Sequence, residues 1–186
     1  AGIVPEILDL KYLFIETESK VYYNTSLAPN ALTVSTQILN SINKLSASAE
    51  LNKYGARFKY SKFLKVIDQS HESITSNITT VEMRRDLRLA TNQFAEYAID
   101  FGNRFDVRYM DGFNIRSSAF RVLDISNEVY LYDLPNSDAR TGTLGLFSLD
   151  APGSTTPLIE RQNVGVVNYE TGRITLNPIN ITSGKT

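Results

Sequence analysis

The chain has 186 residues, enough for one or two domains, and a chain this size buries about 70% of its unfolded surface without disulfides or metals. Nineteen lysines and arginines against 20 aspartates and glutamates leave a net charge of -1, so no field exists to hold a nucleic-acid backbone or an anionic membrane. The absence of cysteine excludes disulfides, thiolate zinc sites and cysteine nucleophiles, and no apolar run approaches the roughly 18 residues of a membrane span.

The start at Ala1, with neither the basic stretch nor the apolar run of a signal peptide over residues 1–6, reads as an excised or processed piece of a longer protein. From Ile7 to Tyr23 the apolar positions alternate. Leu8, Leu10, Tyr12 and Phe14 fall on one side and Leu13, Ile15, Thr17 and Ser19 on the other, which is strand periodicity. Ala28-Pro29-Asn30 breaks the strand, and Asn30 is suited to cap a helix. Between Leu32 and Leu51, Ile38, Leu39, Ile42, Leu45 and Ala49 recur at spacings of three and four, which places them on one helical face.

Gly55 ends that region. Ser61 is the expected cap of a second helix with Phe63, Val66 and Ile67 on its apolar face. Residues 69–73 read as a loop, and Ile74 to Leu87, with Ile78, Val81 and Met83 among threonines, as a return strand. Two strands separated by two helices make a small α+β layer in which both helices cover one sheet face. Side-by-side pairing through such a connection is expected to be parallel and right-handed, with room for a further strand near Phe58.

After Leu89 short aromatic runs and turn residues take over, as in a mostly antiparallel β-rich domain. The division is expected as residues 1–90 for the α+β layer and 91–186 for the β-rich domain. Candidate strands are Phe94–Phe101, Phe105–Met110, Phe113–Leu123, Glu128–Leu134, Thr143–Leu149, Leu158–Arg161, Val164–Tyr169 and Arg173–Leu176. Asp111-Gly112 signals a hairpin, and Glu170-Thr171-Gly172 a three-residue hairpin with Gly172 left-handed. Residues 135–142 and 151–157 read as loops.

No residues combine into a catalytic, cofactor or metal site. His71, the only histidine, lies in a polar loop beside Glu72 with Asp68 and Ser70 nearby, and a solvated loop role is the economical reading. Glu16 and Glu18 share a strand side with Lys20, as on a solvated edge. Asp133, Asn136, Ser137 and Asp138 offer cation-binding oxygens, but the same residues favour turns. Ser183-Gly184-Lys185-Thr186 resembles the end of a phosphate-binding loop, yet the required earlier glycine falls at Ile179. Three N-glycosylation-type triplets, at Asn24, Asn77 and Asn180, are no more than composition supplies. Arg84, Arg85 and Arg88 around Asp86 read as a junction where arginines pair with carboxylates rather than as a nucleic-acid patch. Ten tyrosines and nine phenylalanines supply core and interface anchors.

The wording of the first half resembles a known family. Residues 7–15 and the strand ending Val21-Tyr22-Tyr23, the Ile38–Leu45 helix, Phe58 to Leu64 with Ser61-Lys62, and Ser73 to Ile78 leading to Val81-Glu82-Met83-Arg84 look like the C-terminal region of the Baseplate J-like wedge protein of T-even-like contractile-tailed phages. The match covers Ile7 to about Leu87. Residues 100–103 and 168–172 are similar to β segments of large wedge subunits. Where that family often has a Pro-Gly turn, this chain holds His71-Glu72.

The resemblance implies a non-enzymatic structural subunit of the baseplate wedge, without cofactors, located in the virion tail and assembled in the host cytoplasm. It also implies pairing as a homodimer and contact with other wedge proteins around the central hub, with neither nucleic acid nor membrane as partner. The alternative is a carbohydrate-binding or adhesin-like β module, with Tyr109, Tyr130 and Tyr132 as ring-stacking residues.

Overall fold

The computed structural model describes residues 12–184, apart from Pro29, Tyr54 and Pro152. Residues 7–11 of the expected first strand lie outside it. The chain divides into two compact units, residues 15–84 and, chiefly, residues 85–184.

The first unit runs β1 (Phe14–Tyr23), α1 (Ala31–Ser46), α2 (Tyr60–Asp68) and β2 (Ile74–Arg84). In β1, Ile15, Ser19, Val21 and Tyr23 are half-buried while Glu16, Glu18, Lys20 and Tyr22 face water. In β2, Asn77, Thr79, Val81 and Met83 turn inward while Ser76, Ile78, Thr80, Glu82 and Arg84 are exposed. Successive strand side chains alternate between faces, so each strand has one dry and one wet side. The dry side is partly polar. Ser19 and Thr79 share a hydroxyl hydrogen bond of 2.8 Å, and the Tyr60 hydroxyl donates to the Thr79 carbonyl at 2.9 Å.

β1 and β2 pair in a two-stranded sheet, and the pairing is antiparallel rather than parallel. The Asn24 N–H donates to the Ser73 carbonyl at one end, Ser19 meets Thr79 in the middle, and Arg84 pairs with Glu16 at the other. The reason is the number of helical legs. A single helix returns the chain to the start of the first strand, whereas two in series, α1 against α2 and α2 against β2, bring it back to the end it left. Residues 56–59 contain no strand.

Asn30 caps α1 as expected, its side-chain oxygen accepting the Leu32 N–H at 2.9 Å. The helix ends at Ser46, short of Leu51. Its buried residue is Val34; Ile38, Ile42 and Leu45 follow on the same side half-buried, whereas Leu39 and Ala49 are exposed. Ser61 does not cap α2. Lys59 holds that position without a side-chain bond, and Ser61 lies within the first turn. Phe63 and Ile67 are buried as the periodicity requires, and Val66 is half-buried.

The second unit contains β3 (Phe94–Asp100), β4 (Phe120–Val122), β5 (Tyr130–Pro135), β6 (Thr141–Leu149), β7 (Pro157–Asn168) and β8 (Arg173–Gly184). The order is β3-β8-β7-β6-β5, with β4 also on β8 and every one of these pairings antiparallel. The circuit closes through β4. Phe120 and Val129, just before β5, exchange both backbone hydrogen bonds, at 3.0 and 2.8 Å. Closure of β5-β6-β7-β8-β4 removes most of the unpaired edge that an open sheet would present. Val122, Val129, Leu144, Leu146, Val167 and Ile181 are buried in this unit.

Several expected strands change. Leu158–Arg161 and Val164–Tyr169 are one strand, β7, bent where Asn163 takes a φ of 58° and where the β6–β7 register slips between Leu144 and Phe147. Arg173–Leu176 extends to Gly184. Phe105–Met110 is not a strand, and of Phe113–Leu123 only residues 120–122 are. Asp111-Gly112 turns the chain back on Tyr109, whose carbonyl accepts the Gly112 N–H, instead of joining two strands. Gly112 has a φ of 95°, and a Cβ there would stand 2.3 Å from the Asp133 carbonyl oxygen. Gly172, with a φ of 67°, takes the expected left-handed place between β7 and β8.

The irregular segment 101–119 is held by one buried acid. Asp133, fully buried in β5, accepts the Ile115 N–H at 2.7 Å, the Asn114 amide at 3.0 Å and the Tyr169 hydroxyl at 2.6 Å. A buried carboxylate is tolerated only when donors replace its water, and these three come from two segments far apart in sequence, Asn114-Ile115 and Tyr169.

Burial, then the hydrogen bond to Asp133 and its charge, raises the pKa of Tyr169 above the ordinary tyrosine range. Tyr169→Phe is expected to cost about 1–2 kcal/mol in denaturant unfolding at pH 7, since it deprives a buried acceptor of its donor. The native state keeps this proton where the unfolded chain loses it, above roughly pH 10, so stability falls as pH rises past that point. Unfolding of the variant measured across pH 9–11 should show a shallower fall than the parent protein.

Candidate assembly surface

The side chains considered for chemistry are used locally. His71 is half-buried, and its Nδ1 accepts the Ser73 N–H at 3.0 Å, which fastens the turn into β2. The grouping of Asp133 with Asn136, Ser137 and Asp138 as a cation loop is not formed. Asp133 faces the core, whereas Asn136 bonds the Thr141 hydroxyl at 2.8 Å and Asp138 accepts the Arg140 and Thr141 N–H groups across the β5–β6 turn. Those donors, Arg140 first, lower the Asp138 pKa. Among the described residues no three His, Asp or Glu side chains are grouped to hold a metal ion, and no helix is long and apolar enough to cross a membrane. Ser183 and Gly184 end β8; Lys185 and Thr186 lie outside the described residues.

The three tyrosines proposed for ring stacking part company. Tyr132 is buried, stacked on Phe113 with ring centroids 5.0 Å apart, and burial raises its pKa. Tyr130 is half-buried and stacks on Phe147 at 5.3 Å. Only Tyr109 stands exposed. A sugar therefore finds no shared platform, because two of the rings are spent on packing.

What remains is surface. The two-stranded sheet of residues 15–84 carries Tyr22 and Ile78 on its wet face, 52% and 62% exposed. They share it with Glu16, Glu18, Lys20, Glu82 and Arg84, and Glu16, Thr17, Glu18, Thr80 and Glu82 line a shallow hollow there. Arg84 pairs with Glu16 within this unit. A sheet of two strands has two lateral edges, and among the described residues neither β1 nor β2 has a second strand partner. Edges of 10 and 11 residues rich in β-branched side chains are templates for pairing with another chain. Leu27, Leu32 and Leu39 add exposed apolar area around α1.

Residues 11–86 match the family model described as baseplate structural protein gp6, C-terminal domain III. This segment is similar to that domain. The matched stretch spans the strand-helix-helix-strand unit and is less than half of the chain. It supports a phage baseplate structural protein and places the protein in the tail baseplate of the virion. A structural role in contact with other baseplate proteins fits a unit whose open features are edges and exposed apolar side chains. No curated protein gives a significant match.

The buried Asp133 cluster is what sequence reading passed over. Its signal was present, an acid inside the otherwise apolar run Val129 to Leu134, but the donors Asn114 and Tyr169 are distant in sequence. By contrast the Glu16–Arg84 pair is half-exposed on both sides, and pairs of that kind contribute little. Glu16→Gln should change the unfolding free energy by less than about 1 kcal/mol in denaturant titration.

Proposed function

We propose that this chain is a subunit of the baseplate wedge, of the Baseplate J-like kind, that joins wedge proteins around the central hub and pairs with itself through residues 15–84. It acts by shape, without catalysis and without a cofactor. The proposed organisation is an α+β domain of residues 1–90 followed by a β-rich domain of 91–186. The single observation carrying the reading is the match of residues 11–86 to a baseplate structural domain. It is supported by a two-stranded sheet whose Tyr22 and Ile78 stay exposed and whose long edges lack a second partner among the described residues. Joining two such sheets edge to edge would double the strand number and cover one edge of each copy. A two-fold contact would be self-complementary on this face, since Glu16, Glu18 and Glu82 lie beside Lys20 and Arg84.

Sedimentation of the chain over a range of concentrations tests the pairing. The dimer is the expected species at high concentration, and Ile78→Lys should weaken association at least about tenfold, since a buried apolar contact of roughly 1.4 kcal/mol or more is replaced by a charge. The same variant should unfold at unchanged denaturant concentration, because Ile78 faces water within one copy. A monomer at every concentration would contradict the pairing.

A further inference from the structure

Residues directly opposite one another in an antiparallel sheet point to the same face, so the register of the β-rich unit can be followed from strand to strand. One row crosses β5, β6, β7, β8 and β3: Leu134 opposes Thr143, Thr143 opposes Val166, Val166 opposes Thr175, and Thr175 opposes Ala98. The rows on either side of it point inward. Leu144, Leu176 and Tyr97 are buried on one side, Val167 and Ile174 on the other, so this row faces outward. Leu134 and Val166 are 45% and 56% exposed, Ala98 is exposed, and the two threonines are half-buried. At about 4.8 Å per strand the stripe is roughly 19 Å long, and none of the strands contributes a charge to it. The next outward row, Thr141, Asn168, Arg173 and Asp100, is polar, with Arg173 directly opposite Asp100. Strand propensity accounts for Thr and Val in any strand. It does not account for a leucine and a valine left in water within one uncharged row.

We propose that this stripe is a two-fold contact with a second copy of the chain, sheet face on sheet face, centred on Val166. The order of the row selects the occupant. From either end it reads apolar, Thr, Val, Thr, apolar, so a two-fold axis running along β7 at Val166 returns the row onto itself reversed. Val166 then meets its own mate, Thr143 meets Thr175 of the other copy, and Leu134 meets Ala98. The large end of the row thus packs on the small end, the alternation by which facing layers fill space, and each threonine hydroxyl finds another as its hydrogen-bonding partner. A sugar or a nucleic acid would find two hydroxyls and no charge along the whole stripe, too little to hold either. A different protein would leave the match between the two halves unused. This contact goes beyond the pairing through residues 15–84, lies on another surface and does not rest on the baseplate reading.

The chain has no cysteine, so single introduced cysteines report the contact without background. Every variant also carries Ile78→Lys, which weakens the other pairing and keeps failure of one contact distinct from failure of the other. With diamide as oxidant, Val166→Cys is expected to form covalent dimers about tenfold faster than Asp150→Cys, an exposed position outside the stripe. In an equal mixture of Thr143→Cys and Thr175→Cys chains, dimers joining one of each are expected to exceed the half that random pairing gives. Val166→Lys should lower association in sedimentation several-fold while leaving the unfolding midpoint unchanged, because Val166 faces water within one copy. A Val166→Cys rate no faster than that of Asp150→Cys, mixed dimers at or below half, or an association that Val166→Lys leaves unchanged overturns the proposal.

Discussion

Burying the Asp133 carboxylate strips it of water, and the β-rich unit is arranged to give that solvation back. Tyr169 reaches it from the turn after β7, while Asn114 and Ile115 reach it from the segment that precedes β4. An acid left unpaired there would cost several kcal/mol. The irregular segment is thereby tied to β5, where it covers an edge that β6 does not pair: Arg116 bridges Tyr132, and the Ser117 hydroxyl accepts the Leu131 N–H at 2.9 Å. Together with the Phe120–Val129 bridge, these contacts let the sheet close on itself.

The strand-helix-helix-strand unit faces the opposite constraint. Nothing comparable covers its sheet edges among the described residues, and its dry side is small, with Phe63, Ile67, Val34 and Thr79 buried. Two strands with one helical layer are close to the lower limit of independent stability. A unit of this kind gains most from association.

How much of this was legible in the sequence depends on the range of the interactions. α1 was readable because its cap and its apolar spacing are local, although Val34 rather than Leu39 proved to be the anchor. Strand alternation through Glu16, Glu18 and Lys20 was equally local. Strand direction was not, since it follows from how two helical legs stack. Residues 105–119 have strand-like composition but are claimed by side-chain bonds to Asp133 across 18 and 19 positions, and no periodicity encodes those. The three tyrosines looked alike as residue types; only packing separates the buried Tyr132 from the exposed Tyr109. Reading a site from composition therefore failed where partners are distant, while the family likeness of residues 11–86 followed the local pattern.

Electron cryomicroscopy of intact tails is the most direct measurement of the central claim, that this chain is a structural part of the baseplate and pairs through its first unit. The account predicts density for both units in the baseplate, with residues 15–84 of neighbouring copies meeting along their sheets. Tails whose baseplate contains no density for the chain, or contains it only as isolated copies with both sheet edges facing solvent, would contradict it.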